Sequence, residues 1–514
     1  MRRPPLSPPA AAAAIVMALA ALTACWTLLV PPGAGADEHS HLVRAGAVIR
    51  GEWSGEDVGV ISLESHVLPD SYLVPDTCYA FRSDVPVGCA PPVVRTGADV
   101  VVATRADEYQ VWPHLVYGLA TLLPGPAAVW WARAIGALAV VALVGAALVL
   151  ARSEAARVGV VVALTPMAFG TFATVNPSTF VIAGAVAVWS VAGRAGPWPR
   201  PGNWLLAAGW AAMSLSRRDG LVWAVLLVVV LQFAMGWSSR DRWRSMGFGP
   251  QALIASSTAA TVVWGVTAGG VARWVAVSPL VLVAAEAFRP VWARARDARA
   301  RAALVAAGAA LAAGAAVVAL GRRPGGWDGE LARLVVGKTG THLVEAVGVL
   351  GWLDTPLPWL VVAGWVALVG VLAAGALQSE ARRPLVAVAV VALAVTTAWV
   401  LELLQGNTSG TYWQGRYSLP LLVGVPIVLA PAVRDGRLAR VAGLTALGLL
   451  NAGAWAAARR WGVGLQGSLR PWNWDTPHTP LPVVVLLAAH AAATVALAWA
   501  IAQRPRPTAT DEPA

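Results

Sequence analysis

Four polar residues, Asp37, Glu38, His39 and His41, follow directly on a long apolar run in the stretch "GAGADEHSHLVRAG". A carboxylate at a membrane face can act as general base for an acceptor hydroxyl, or hold a divalent cation that neutralises a phosphate leaving group. On that chemistry Asp37 is the candidate base, and Glu38 its support or a cation ligand. The plainer reading of both is a helix exit that has to be polar. His39 and His41, two apart, do not share a helix face and make a poor metal pair. A second acidic pair, Asp107 and Glu108, stands in "RADEYQVWPHLVYG", where the chain turns apolar again. It suits a second substrate or metal contact, or, in its aromatic and proline company, an interfacial segment.

Guanidinium groups suit bidentate phosphate recognition. Arg416 in "YWQGRYSLP", Arg217 and Arg218 in "SLSRRDG", and Arg133 in "VWWARAIG" all fall near ends of apolar runs. The alternative for each is snorkelling to the interface, or pairing with a local acid such as Asp219. Cys78 and Cys89 flank "YAFRSDVPVG" and are close enough to close a small ring if their loop faces an oxidising compartment; otherwise they are two unpaired thiols. The segment "VVGKTG" is not a phosphate loop, because Ala332 stands where its first glycine belongs.

The elements that must position these residues are membrane helices. The chain has 514 residues, 57% hydrophobic and only 13% charged, with a mean hydropathy of +0.64. That composition excludes a large soluble enzyme. Apolar runs of bilayer-spanning length recur from end to end, which predicts an all-α polytopic membrane protein in one domain, residues 1–514. The net charge of +11 comes from arginine clusters between apolar runs, so it reads as a topology signal and not as a nucleic-acid surface.

The start resembles a signal peptide, but its apolar stretch is longer than a usual signal core, which favours a retained first helix or signal anchor at 10–32. Further spans are expected near 127–150, 157–175, 177–193, 203–217, 219–236, 251–270, 272–288, 302–320, 356–377, 385–404, 417–432, 438–457 and 481–502. Alternate loops are then basic, from "ARSEAAR" to the tail "QRPRP", giving about 12–14 spans with both termini and the tail 503–514 in the cytoplasm. A large first extracytoplasmic loop, 33–126, carries interfacial helices. Shorter segments on that same side hold "GWLDTP", "YWQGR" and the tryptophans Trp455, Trp461, Trp472 and Trp474, which suit sugar stacking or an interfacial belt. The cytoplasmic loops have no room for a nucleotide-binding fold.

Three segments carry a resemblance. "DEHSHLVRAGAVIRGEW", "GVLGWLDTPLP" and "YWQGRYSLPLL" resemble, in order, signatures of domain-of-unknown-function family 2142, bacterial predicted multi-pass membrane proteins. That family is distantly similar to the C-type (GT-C) glycosyltransferases, which use lipid-phosphate sugars. The resemblance implies Asp37 as the catalytic acid position, Glu38 as its neighbour and Arg133 as a recurrent arginine after the first outer loop. Asn176 falls where a polar residue is common between two helices. His41 stands where better-known transferases carry an aromatic.

The expected function is a membrane glycosyltransferase that moves a sugar from a polyprenyl-phosphate donor to a cell-envelope glycan or protein on the extracytoplasmic face. Asp37 and Glu38 are its catalytic candidates. Arg416, Arg217, Arg218, Arg133, His41, Asp107 and Glu108 are its substrate-binding candidates, and a divalent cation, magnesium or manganese, is the cofactor they would admit. Membrane lipids are partners and nucleic acid is not. The alternative is a transporter, flippase or non-catalytic assembly protein for envelope precursors.

Overall fold

The computed structural model describes residues 7–60, 63–70, 73–74, 77–123, 127–192, 200–236, 238–268, 272–294, 329–379, 382–405, 412–474 and 479–503. Apolar runs that meet lipid must satisfy their backbone hydrogen bonds internally, so they fold as helices. The chain runs through α1 (Pro8–Leu29), α2 (Glu38–Ile49), β1 (Glu56–Asp57), β2 (Glu64–Pro69), β3 (Asp99–Thr104) and α3 (Val111–Gly118). It then passes into the bundle with α4 (Ala127–Leu150), α5 (Glu154–Ala163), α6 (Pro166–Phe172), α7 (Ser178–Ala192), α8 (Arg200–Ser214) and α9 (Gly220–Met235). Next come α10 (Ser239–Ser245), α11 (Phe248–Ala268), α12 (Ala272–Val277), α13 (Pro279–Arg294), α14 (Gly329–Gly337), α15 (Thr339–Gly348), α16 (Trp359–Leu377) and α17 (Arg382–Gln405). Short turns α18 (Leu419–Leu422) and α19 (Gly424–Leu429) lead to α20 (Gly436–Val463) and α21 (Val483–Ala502).

Among the described residues, eight helices are long and apolar enough to cross a membrane, nine if α5 and α6 form one bent span. Apart from the span at 302–320 and the tail 504–514, which lie outside the described residues, each expected span has a helical counterpart. The length criterion accepts fewer than 12–14 in part because α7, α8 and α9 have only 15, 15 and 16 residues, about 24 Å of helix at most. The expected single span 157–175 is broken: α5 and α6 meet at 69°. Pro166 has no N–H to continue α5, and the Thr165 hydroxyl caps the new helix by accepting from Ala168 N at 3.2 Å.

The buried core joins α1, α4–α9 and α16–α21, while Leu138, Val366, Leu385 and Val495 stay exposed on the outside of their helices. Apolar residues on both the inner and outer faces are the pattern of helices solvated by lipid. Polarity separates to the two ends. At one end Glu154 pairs with Arg440 at 2.7 Å, and Arg157 donates to the carbonyls of Ile501 and Gln503. At the other end sit α2, α3 and the strands.

In residues 33–126 the helices α2 and α3 stand beside a small sheet that was not expected from the sequence. β1, β2 and β3 form an antiparallel sheet in that order, with Glu64 opposite Thr104 and Pro69 opposite Asp99. Val67 and Val101, alternating with inward positions, are exposed on its outer face. Cys78 and Cys89 are disulfide-bonded, with Cα atoms 6.3 Å apart. Arg460 at the end of α20 gathers the loop they close by donating to the carbonyls of Tyr79, Arg82 and Val85, and to Asp354. The "GWLDTP" segment is therefore a strap: Asp354 also accepts from Phe81 N at 3.1 Å.

Candidate functional site

Asp37 is the first residue past the apolar "GAGA" and caps α2 in the left-handed conformation, φ 63°, which aspartate tolerates better than most side chains. The turn sends its carboxylate outward, 41% exposed, to accept from Arg416 Nη2 at 3.0 Å. The next residue, Glu38, points the opposite way and is fully buried. Its Oε1 and Oε2 each accept from Arg133 at 2.7 Å, and backbone N–H groups of Val175 and Gly33 complete the set.

This corrects two expectations. Glu38 has no acceptor capacity left for a cation or a substrate, and Arg133 has no donor directed at a donor phosphate. Its remaining N–H groups go to the carbonyls of Thr27, Val30 and Pro31, tying the end of α1 to the start of α4. Both are positioning residues that fix the corner on which Asp37 sits. Asn176 helps: its Oδ1 caps Ser178 N at 2.9 Å, and its carbonyl accepts from Tyr117.

Arg416 stands in a short 3-10 turn, Gly415–Ser418. Two acids hold the approach to it, Glu345 accepting from Gly415 N at 2.7 Å and Glu402 accepting from Trp413 N. Position 415 must be glycine, since a Cβ would stand 2.1 Å from the carbonyl oxygen of His342. Burial raises the Glu345 carboxyl above its ordinary range, against the Gly415 hydrogen bond and the Lys338 and Arg416 charges.

The guanidinium of Arg416 lies 5.2 Å from the Tyr417 ring centre, and that of Arg217 lies 4.4 Å from the same ring. Arg217 also stands 5.7 Å from Tyr109, and is oriented by Asp219 at 2.8 Å and the Ser178 hydroxyl at 2.9 Å. Two cations thus share one aromatic ring. Arg416 Nε is buried and has no hydrogen-bond partner among the described residues. An unpaired guanidinium N–H beside a second guanidinium is a site that an anion would complete.

The other candidates divide. His41 joins this site: it lies one helical turn from Asp37, with its ring edge-on to Tyr109 at 5.0 Å. Asp107 does not. It pairs with the Arg44 charge at 3.1 Å and accepts from His66 at 3.0 Å and Gly55 N at 2.9 Å, so it bolts the sheet to α2 and is no ligand contact. Burial works against its ionised form, but the His66 hydrogen bond and the Arg44 charge outweigh that and hold its carboxyl at about 2. Glu108 and Arg218 form a half-exposed pair with each other at 2.6 Å, which accounts for both without a phosphate. His39 packs 5.7 Å from Trp352. Among the described residues no group of three His, Cys, Asp or Glu side chains comes together as cation ligands.

Sequence reasoning missed Tyr417, Tyr109, His114 and Ser178. Tyr417 follows Arg416 in the "QGRY" motif and was within reach of it; the others depend on how α2, α3 and α7 meet. An apolar cavity of about 200 Å³ lies at the α5–α6 break, lined by Val162, Trp365, Val391, Leu419, Leu422 and Pro426 among others.

Fold and site together define a polytopic helical membrane protein with a carboxylate–arginine site at one end of the bundle. The chain belongs to the family described as predicted membrane protein (DUF2142), whose pattern matches residues 21–425. No curated protein sequence matches it. Among solved structures it is similar to ArnT from Cupriavidus metallidurans bound to undecaprenyl phosphate. There the identity is 13% and the TM-score 0.41, covering 95% of this chain and 76% of that one. The apo form of ArnT gives 13%, 0.38, 96% and 76%.

Proposed function

We propose that this chain is a membrane glycosyltransferase that takes a sugar from a polyprenyl-phosphate donor and passes it to a hydroxyl of a cell-envelope acceptor on the extracytoplasmic face. The observation that carries the reading is the Asp37–Arg416 pair. A half-exposed carboxylate touches a buried guanidinium that still has an unused N–H, with Arg217 on the same tyrosine. A donor phosphate arriving on Arg416 competes with Asp37 for Nη2, and its binding frees the carboxylate at the place where an acceptor must come. Asp37 then takes the acceptor hydroxyl proton, the acceptor oxygen bonds to the sugar carbon, and the bond from that carbon to the phosphate oxygen breaks. The charge that grows on the departing phosphate is met by Arg416 and Arg217, which are already in place. The apolar cavity beside Leu419 suits the first isoprene units of the carrier.

The neighbouring carboxylates do not fit a divalent cation held between Asp37 and Glu38, because Glu38 is consumed by Arg133.

The test is transfer from radiolabelled polyprenyl-phosphate sugars to membrane glycan by the purified protein in lipid vesicles. Asp37→Asn should lower kcat by at least about 100-fold, in line with loss of a general base. Arg416→Ala should lower kcat/KM by a similar factor. An active wild type whose Asp37→Asn variant is unimpaired refutes the base. Movement of the carrier lipid across the vesicle without transfer would assign a flippase instead.

A further inference from the structure

His41 and Asp37 are neighbours on one face at the start of α2, where His41 N donates to the Asp37 carbonyl at 3.0 Å. Behind His41 lies His114, on α3. His114 Nδ1 is 2.9 Å from the carbonyl oxygen of Gln110. A carbonyl only accepts, so the proton is on Nδ1 and the neutral ring has its lone pair on Nε2. That Nε2 faces His41 Nδ1 at 3.2 Å, so His41 Nδ1 in turn carries the proton. The lone pair of His41 is then on Nε2, where no described residue donates to it.

Both rings are kept neutral. Burial holds His114 down at about 4. Burial, with the charges of Arg217 and Arg416, holds His41 well below the ordinary histidine range. A ring so weakly basic is a poor proton acceptor in catalysis but a good hydrogen-bond acceptor. Gln110 serves both halves of the site, since its side-chain amide donates to the carbonyls of Ser214 and Arg217 at 2.8 Å each. Tyr109, beside it, lies against both His41 and Arg217.

We infer that Gln110, His114 and His41 form a tautomer-setting relay that presents His41 Nε2 as an obligate acceptor for a hydroxyl of the ligand whose anionic group sits on Arg416 and Arg217. The ligand class is a sugar or other polyol carried on phosphate, so this rests on the phosphate reading above. His41 is a specificity residue, and Gln110 and His114 are positioning residues that act through it. A fixed lone pair accepts from a hydroxyl and repels an ether, a carbonyl or a deoxy position that leaves it unpaired.

The test compares binding of two probes, polyprenyl phosphate and polyprenyl-phosphate mannose, to the full-length protein in nanodiscs. The wild type should bind the mannose-bearing probe more tightly. His41→Phe should weaken that binding 5- to 20-fold while leaving bare polyprenyl phosphate within 2-fold, and His41→Gln, whose amide oxygen supplies an acceptor, should recover part of the loss. His114→Leu leaves His41 in place but frees its tautomer, and should lose selectivity in the same direction. If the His41→Phe variant keeps full selectivity, or loses both probes equally, the relay is refuted while the phosphate site stands. If the folded wild type binds neither probe, the phosphate reading falls and the relay with it.

Discussion

Removing the Glu38 carboxylate should unfold the end of the bundle that carries α2 and the strands before it touches any chemistry. In Glu38→Ala the Arg133 guanidinium, wholly enclosed, loses its charged partner and the two hydrogen bonds to it but keeps the carbonyls of Thr27, Val30 and Pro31. Breaking a buried ion pair from one side costs about 3–5 kcal/mol. The N–H groups of Gly33 and Val175 lose their acceptor as well, each a further penalty of about 1–3 kcal/mol where water cannot enter. The three carbonyls offset part of the stranded charge, so a net loss of about 4 kcal/mol is expected. Arg133→Ala should cost a similar amount. The double variant should cost at least about 2 kcal/mol less than the sum of the two, since neither charge is then left alone. Asp37→Asn, next door, changes only a half-exposed carboxylate and leaves an amide oxygen that can still accept from Arg416, so it should change stability by about 0–1 kcal/mol. Equilibrium unfolding of the four proteins in mild detergent, followed by circular dichroism, measures all of these. A Glu38→Ala variant within about 0.5 kcal/mol of wild type, or single losses that simply add, would show that the pair does not anchor the corner.

The sheet junction should respond to pH with a definite sign. Burial opposes the charged form of His66, but the Asp107 and Glu52 carboxylates outweigh it and raise its pKa. Its contribution is therefore complete below the unfolded value of about 6.5 and lost as pH rises through the higher folded value. Asp107, held at about 2, contributes above its unfolded value near 4 and loses that only toward pH 2. Amide exchange in β2 and β3 should thus open more at pH 9 than at pH 6 after correction for intrinsic rates, and His66→Gln should abolish the difference. Reduction of the Cys78–Cys89 bond should weaken the outer loop by about 2–3 kcal/mol, read as earlier cleavage near Phe81 by protease, with Arg460→Met accelerating it further.

The sequence told much about the bundle and less about the roles inside the site. Helix limits such as 127–150 were legible because bilayer thickness dictates length. Asp37 and Arg416, 379 residues apart, could be read as members of one site because the expected topology put both on one side, but nothing in the sequence showed that they pair with each other. Glu38 was misread because adjacency in sequence says nothing about direction once the backbone turns left-handed between two residues. Arg133 shared that fate, since phosphate recognition and a buried ion pair call for the same residue type. His114 and Tyr109 draw their roles from where α3 lands on α2 and on the Arg217 loop, a tertiary event with no periodic trace. The α5–α6 break was visible in Pro166, but hydropathy averages over such a corner.

The left-handed turn at Asp37 makes the two carboxylates of "DE" chemically unlike through handedness alone, with one facing solvent and cation and the other facing core. Segment length from Gly33 to Glu38 is then as constraining as residue identity. A chain shortened by one residue there would bring Glu38 to the corner in place of Asp37, and one lengthened by a residue would put Ala36 at the corner and Asp37 in the buried place, even though the composition would look intact. Libraries that diversify this region should hold its spacing fixed and vary its side chains.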